Sequence, residues 1–171
     1  CNFSQELFLD GKRAKRKESV ESVTRNSMEW FLDYDTPVAY LGMDPGVRLV
    51  ELSVLPSLFS SEHVASDVVL DSFVVEKFSS PAQTGALSPS GRNWVVSNVE
   101  VRNNHGRGGD INFNATVLSC HIHHNGQMGL GGHCGSLWHS EVDHNNMAGF
   151  LSLRTDRHSS KKQCLCDPSK C

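Results

Sequence analysis

The chain has 171 residues, a formal net charge of −3 and a hydrophobic content of 38%. This length suits a single domain, and the weak charge argues against nucleic acid or an anionic membrane as a partner. Because no apolar run reaches 18 residues, the sequence predicts no transmembrane helix, and the N-terminus lacks the apolar core of a signal peptide.

Residues 1–66 predict a lead-in of short strands rather than a regular repeat. An apolar run near the N-terminus ends at the turn Asp10-Gly11. The apolar segments 30–34 and 38–41 are separated by turn residues, so they predict a β-hairpin. This lead-in ends where a regular pattern begins.

Residues 67–150 contain related segments at a spacing of 20–23 residues, which predicts stacked copies of one unit. A degenerate first copy, 77–87, aligns Phe78 with Val101 and Gly85 with Gly108. The other copies share an apolar residue, an asparagine and a glycine. These are Val101, Ile122 and Val142; Asn104, Asn125 and Asn145; and Gly108, Gly129 and Gly149.

Each copy alternates apolar and polar residues over three to five positions, which is typical of a strand with one buried face. Short strands repeated at this period predict an all-β parallel β-helix, because the frame of a leucine-rich repeat is absent. Stacked asparagine amides can bond to one another along such a fold. We expect the glycines to supply positive φ at the following corner.

The repeats resemble the right-handed parallel β-helix domain of bacterial pectate-lyase-like proteins. The resemblance covers about residues 5–150, and the lead-in Leu7–Arg16 is similar to that of β-helix glycoside hydrolases. It implies a right-handed solenoid of about four coils after an N-terminal β-hairpin. It also implies a secreted, carbohydrate-active parent protein that binds polysaccharide or oligosaccharide, either a glycoside hydrolase or a polysaccharide lyase. The residues that carry it are 75–85, 99–106, 122–130 and 143–150.

The pattern stops after Phe150, where a polar, cysteine-rich tail, 151–171, begins. This change indicates a truncated member of the family whose open solenoid end favours self-association. Cys120 falls on an inward strand position and is predicted to be a buried thiol. The tail cysteines match no standard zinc spacing, which leaves free thiols, a disulfide or a metal site open.

The outward positions of the repeats predict three parallel ladders of polar side chains, which are Glu100, His121 and Glu141; Arg102, His123 and Asp143; and Asn103, His124 and His144. Neighbouring rungs lie about 4.8 Å apart, which places Glu100 about 9.6 Å from Glu141, and Asp143 about 7 Å from Glu141. Carboxylates at such separations are able to share acid–base work in glycoside hydrolysis. The candidate catalytic residues are Glu141, Asp143, Glu100, His121 and His123.

Other chemistry is open to the same patch. His121 and His123 with a carboxylate are suitable ligands for a divalent metal such as calcium, although no aspartate cluster marks a calcium site, and no other cofactor is expected. A lyase needs a base and a cation, for which Arg102 and Arg107 are available. Repetition of a polar outer face also produces such ladders without catalysis. A non-catalytic module that binds glycan or packs against another protein segment is therefore the alternative function.

Overall fold

The structure is a computed structural model that describes residues 4–59, 64–88, 91–111, 114–132 and 135–146. The described residues form 17 β-strands and one short 3₁₀-helix, Val20–Ser22. The predicted all-β class is confirmed. No helix within these ranges is long and apolar enough to cross a membrane. Contacts divide the chain into two compact units, Gln5–Val54 and the residues from Leu55 onward.

The unit Gln5–Val54 contains the first six strands. They are β1 (Leu7–Leu9), β2 (Lys12–Arg13), β3 (Lys15–Arg16), β4 (Glu29–Asp33), β5 (Val38–Leu41) and β6 (Val50–Leu52). Strand β1 pairs antiparallel with both β2 and β6. The predicted turn joins β1 to β2, where Asp10 and Gly11 have φ of 49° and 74°. A small apolar core includes Leu7, Leu9 and Trp30.

The predicted hairpin is confirmed by the antiparallel pairing of β4 with β5. The Asp33 carboxylate closes the turn between them. It accepts hydrogen bonds from the Asp35 backbone N–H, at 2.9 Å, and from the Thr36 hydroxyl, at 2.7 Å. A short polar side chain that bonds its own backbone two residues on is a common way to fix such a turn.

The unit from Leu55 onward contains three parallel sheets that the chain visits in a constant order. Sheet I consists of β7 (Val69–Asp71), β10 (Val95–Ser97), β13 (Ala115–Leu118) and β16 (Gly135–Trp138). Sheet II consists of β8 (Val74–Glu76), β11 (Glu100–Arg102), β14 (His121–His123) and β17 (Glu141–Asp143). Sheet III consists of β9 (Gly85–Leu87), β12 (Arg107–Ile111) and β15 (Leu130–Gly132).

The inward frame predicted for sheet II is confirmed. Val101 pairs with Ile122, and Ile122 pairs with Val142. All three side chains are at most 2% exposed and belong to one apolar cluster that residues of all three sheets share. Burial of a valine or isoleucine side chain is worth about 1.5–3 kcal/mol, so this column stabilises the stacked strands.

The predicted asparagine ladder is also confirmed. Asn104 Nδ2 donates to Asn125 Oδ1 at 2.9 Å, and Asn125 Nδ2 donates to Asn145 Oδ1 at 3.0 Å. The backbone N–H groups of Asn104 and Asn125 donate to the same two oxygens. The ladder therefore satisfies the backbone polar groups of a buried corner, which would be costly to leave unpaired.

The predicted register of the first copy is wrong. Val75, not Phe78, pairs with Val101, and Gly85 pairs with Arg107. The reason is the length of one connection. Val75 and Leu87 lie 12 residues apart, whereas their partners Val101 and Gly109 lie 8 apart. The chain therefore uses four more residues to go from sheet II to sheet III in the first copy than in the second. The repeat spacing of the later copies does not apply to the first copy for this reason.

The predicted role of the repeated glycines is wrong as well. Neither Gly108 nor Gly129 has positive φ. A Cβ on Gly129 would lie 2.4 Å from Val142 Cγ1, so glycine is required there by close packing against the next rung. Gly149 lies outside the described residues. Positive φ occurs instead at the corners after the strands of sheet II, at Asn103, His124 and His144.

Cys120 is buried as predicted, with 3% exposure. Burial raises the pKa of its thiol, whose sulfur lies 3.3 Å from the Leu118 carbonyl oxygen. Cys1, Cys134 and the tail 151–171 lie outside the described residues. The proposed alternatives for the tail cysteines, and the open end after Phe150, therefore stay predictions.

Candidate functional site

The five candidate catalytic residues lie on one face of sheet II. Glu100 pairs with His121, and His121 pairs with Glu141. The second ladder runs beside the first, because Arg102 pairs with His123 and His123 with Asp143. Their neighbours along each strand point into the core, so the strand alternation itself directs these side chains outward.

A chain of ionic contacts crosses the first three strands of the face. Arg102 Nε donates to Glu76 Oε2, and Arg102 Nη1 donates to Glu100 Oε1, both at 2.8 Å. Glu100 Oε1 also lies 2.9 Å from His123 Nε2. Desolvation raises the pKa of Glu100, but the hydrogen bond from His123 and the Arg102 charge outweigh it, so the net shift is downward. Glu100 is thus held in its ionised form.

Four histidine rings from β14 and from the corners after β14 and β17 pack against one another. The rings of His121 and His123 stack with centroids 4.0 Å apart, and those of His124 and His144 stack at 5.2 Å. His123 Nδ1 lies 2.6 Å from His124 Nδ1, so one of these nitrogens carries a proton that the other accepts. Desolvation, followed by the neighbouring charges of His123 and His144, lowers the pKa of His124.

The last two strands bring a second set of groups together. One ligand atom from each of His121, Glu141 and Asp143 lies within 4.8 Å of the others. Asp143 Oδ1 is 3.2 Å from His121 Nε2 and 3.2 Å from His144 Nδ1. Desolvation raises the pKa of Asp143, but the hydrogen bonds from His144 and His121 outweigh it, so the pKa is lowered overall.

The carboxyl oxygens of Glu141 and Asp143 lie closer together than the spacing of their strand positions. Strand geometry alone places such side chains about 7 Å apart. In the structure an oxygen of Glu141 and an oxygen of Asp143 lie within 4.8 Å of each other and of a His121 ring nitrogen. The two carboxyl groups therefore form a closer pair than the backbone spacing suggests.

The sequence reasoning missed Glu76, which lies 2.8 Å from Arg102. The misplaced first copy hid it, whereas aligning Val75 with Val101 would have put Glu76 in the ladder of Arg102. The two arginines considered for charge stabilisation are both engaged. Arg102 binds Glu76 and Glu100, and Arg107 Nη1 lies 3.0 Å from Asp110 Oδ1.

No family model, no curated protein and no solved structure matches this chain. A proposal about function therefore rests on the arrangement of side chains on sheet II.

Proposed function

We propose that the chain is a right-handed parallel β-helix protein that hydrolyses a polysaccharide or oligosaccharide on the outer face of sheet II. The constant visiting order of three parallel sheets supports a solenoid, and connections between parallel strands of one sheet are right-handed in about 98% of cases. A solenoid presents a long, regular polar face, which suits an extended chain of sugars.

The observation that carries the proposal is the close carboxylate pair of Glu141 and Asp143, with oxygens within 4.8 Å. Retaining glycosidases hold their two carboxyl groups about 5–5.5 Å apart, whereas inverting enzymes separate them by about 6.5–9.5 Å. The geometry thus favours hydrolysis with retention of configuration at the anomeric carbon.

The electrostatics of Asp143 favour one assignment of roles. Asp143 is kept ionised by the hydrogen bonds from His144 and His121, as an attacking carboxylate must be. In this mechanism the Asp143 oxygen bonds to the anomeric carbon while Glu141 gives its proton to the departing sugar oxygen. Glu141 then takes a proton from water, which cleaves the bond between Asp143 and the sugar and restores both carboxyl groups.

The remaining candidates act as positioning residues. His121 Nε2 orients Asp143 through their contact of 3.2 Å. His123 supports the His121 ring by stacking and is itself held by Glu100 at 2.9 Å. Arg102 completes this support, because it fixes Glu100 at 2.8 Å. Substitutions in this group should alter the orientation of the pair rather than remove a reacting atom.

The test is the release of reducing ends from a panel of polysaccharides by the 171-residue chain. Loss of a proton donor lowers rates by about 10²–10⁴-fold, so Glu141→Gln should abolish most turnover. Asp143→Ala should do the same, and added azide, which fits the vacated space, should restore cleavage in that variant as a glycosyl azide detected by mass spectrometry, because this product has no free reducing end. The matched control is Glu18→Gln at an exposed position outside the patch. Unchanged turnover in Glu141→Gln would exclude the proposed mechanism.

A non-catalytic glycan-binding module is the second candidate. It is favoured by the stacked rings of His124 and His144, which lie almost parallel at an interplanar angle of 4°. The His144 side chain is 70% exposed, so a flat apolar sugar face is able to pack on it. Glycan binding without turnover, retained in Glu141→Gln and lost in His144→Ala, would support this function instead.

Lyase chemistry is a weaker fit to the geometry. Elimination next to a uronate carboxylate requires a cation to stabilise the developing charge. Arg102 and Arg107 are both bound to carboxylates of the protein. The same assay distinguishes the reactions, because elimination yields an unsaturated sugar that absorbs ultraviolet light and hydrolysis does not.

A further inference from the structure

We infer that the outer face of sheet II binds one divalent transition metal ion, with Zn²⁺ as the reference, through His121, Glu141 and Asp143. These three side chains offer one imidazole nitrogen and two carboxylate oxygens. One such atom from each residue lies within 4.8 Å of the others.

The backbone fixes the three positions relative to one another. His121 and Glu141 are direct partners in the parallel pairing of β14 with β17, and Asp143 lies two residues further along β17. All three therefore project from the same face of two hydrogen-bonded strands, with buried Ile122 and Val142 beneath them. Sites built on strands hold their ligands more precisely than sites on loops.

The distances need little adjustment for coordination. Ligands bound at about 2.1 Å to a tetrahedral zinc ion lie about 3.4 Å apart. His121 Nε2 and Asp143 Oδ1 are already 3.2 Å apart. Glu141 must approach from at most 4.8 Å to that spacing, which a change of its flexible side-chain torsions provides.

Neighbouring groups hold the ligands in the required orientation. The His121 ring stacks on His123 with centroids 4.0 Å apart and planes inclined by 25°. His144 Nδ1 also lies 3.2 Å from Asp143 Oδ1 and steadies that carboxylate oxygen. Hydrogen-bonded partners of this kind orient metal ligands and raise affinity by about 10- to 100-fold.

The ligand chemistry selects the class of metal. Calcium takes six to eight oxygen ligands and has little affinity for imidazole. One imidazole with two carboxylates suits zinc and its neighbours in the first transition row, which also accept water in the remaining positions. Binding to this set does not rest on the proposed hydrolase. One consequence of metal binding does rest on the proposed hydrolase, because a metal that occupies Glu141 and Asp143 should inhibit hydrolysis.

The test is calorimetric titration of ZnCl₂ into the full chain after chelator treatment. The five cysteines other than Cys120 are replaced by serine, so that thiolates do not contribute. We expect one Zn²⁺ per chain, and at least about tenfold weaker binding in His121→Gln and in Asp143→Asn. His105→Gln is the matched control and should bind as the parent does. Calcium chloride should give no comparable heat.

Equal affinity in the parent and in His121→Gln, or no heat above dilution, would overturn the inference. Imidazole ¹⁵N spectra of the parent chain provide a second measurement, which does not depend on whether the variants fold. Zinc should shift Nε2 of His121, and a shift confined to other histidines would also overturn the inference. Reducing-end release with and without Zn²⁺ is measured separately, so a failed hydrolase proposal leaves the binding result intact.

Discussion

The asparagine ladder shows how one residue type can organise a buried corner. Asn125 is 1% exposed and uses its amide in both directions. Its Oδ1 accepts from Asn104 Nδ2 at 2.9 Å and from the Asn104 backbone N–H at 3.2 Å, while its Nδ2 donates to Asn145 Oδ1 at 3.0 Å. No apolar side chain of similar size could satisfy these groups.

Asn125→Ala should therefore destabilise the protein strongly. It leaves the buried Asn104 amide and backbone N–H without their shared acceptor, and each such loss costs about 1–3 kcal/mol. We expect the free energy of unfolding in urea to fall by about 3 kcal/mol. The matched control is Asn146→Ala at an exposed position, which should change it by less than about 0.5 kcal/mol. Equal effects of the two substitutions would contradict the role of the ladder.

The ladder could be predicted from sequence, but the details of the candidate site could not. Asn104, Asn125 and Asn145 recur with the strands, and stacked amides have an obvious mutual use. The approach of Glu141 to Asp143 depends on side-chain torsions that periodicity does not encode. The aligned glycines likewise show where a glycine is needed but not why. Gly129 allows close packing and does not have a positive φ.

At the scale of elements, strand register could be predicted only where the connections have equal length. Ile122 and Val142 follow Val101 at steps of 21 and 20 residues, and all three pair as expected. The first pass has four more residues between β8 and β9, so a constant period places the wrong residue beside Val101. Parallel pairing depends on how long each connection is, which local pattern does not reveal.

The corrected pairing of β8 with β11 predicts a pH dependence of stability. Glu76 is contacted by Arg102 from β11, at 2.8 Å, and by Lys77, at 3.5 Å, with Glu100 beyond Arg102. Desolvation raises the pKa of Glu76, but Arg102 and Lys77 outweigh it and lower the pKa below the ordinary value of 4.5. The stabilisation is thus present above pH 4.5 and is lost as the pH falls through the folded-state pKa.

In Glu76→Gln, the free energy of unfolding should therefore decrease less between neutral and acidic pH than it does in the parent chain. The effect should reach at most about 1 kcal/mol, because the pair is partly exposed, and it should shrink in high salt. Urea unfolding at a series of pH values measures it. Glu18→Gln removes the same charge outside this network and should leave the profile unchanged. A profile of Glu76→Gln that parallels the parent would exclude the Arg102 contact as its cause.

At the scale of the whole molecule, we expect the edges of the three sheets to govern any contact between copies of the chain. Within the described residues, β15, β16 and β17 each pair with one neighbour, so each has a row of backbone groups on its other side. Such edges are templates for another strand.

We therefore expect the 171-residue chain to self-associate through this end of the sheets. Association by backbone pairing at strand edges should strengthen with concentration and change little with salt, because ions screen interactions between charges and the paired backbone groups are uncharged. Light scattering at chain concentrations from about 1 to 100 μM, which span the dissociation constants of weak contacts, should show a mean mass that rises with concentration. Sedimentation velocity should show exchange between species. A monodisperse monomer throughout, with no change between low and high salt, would mean that the described edges are covered within a single chain.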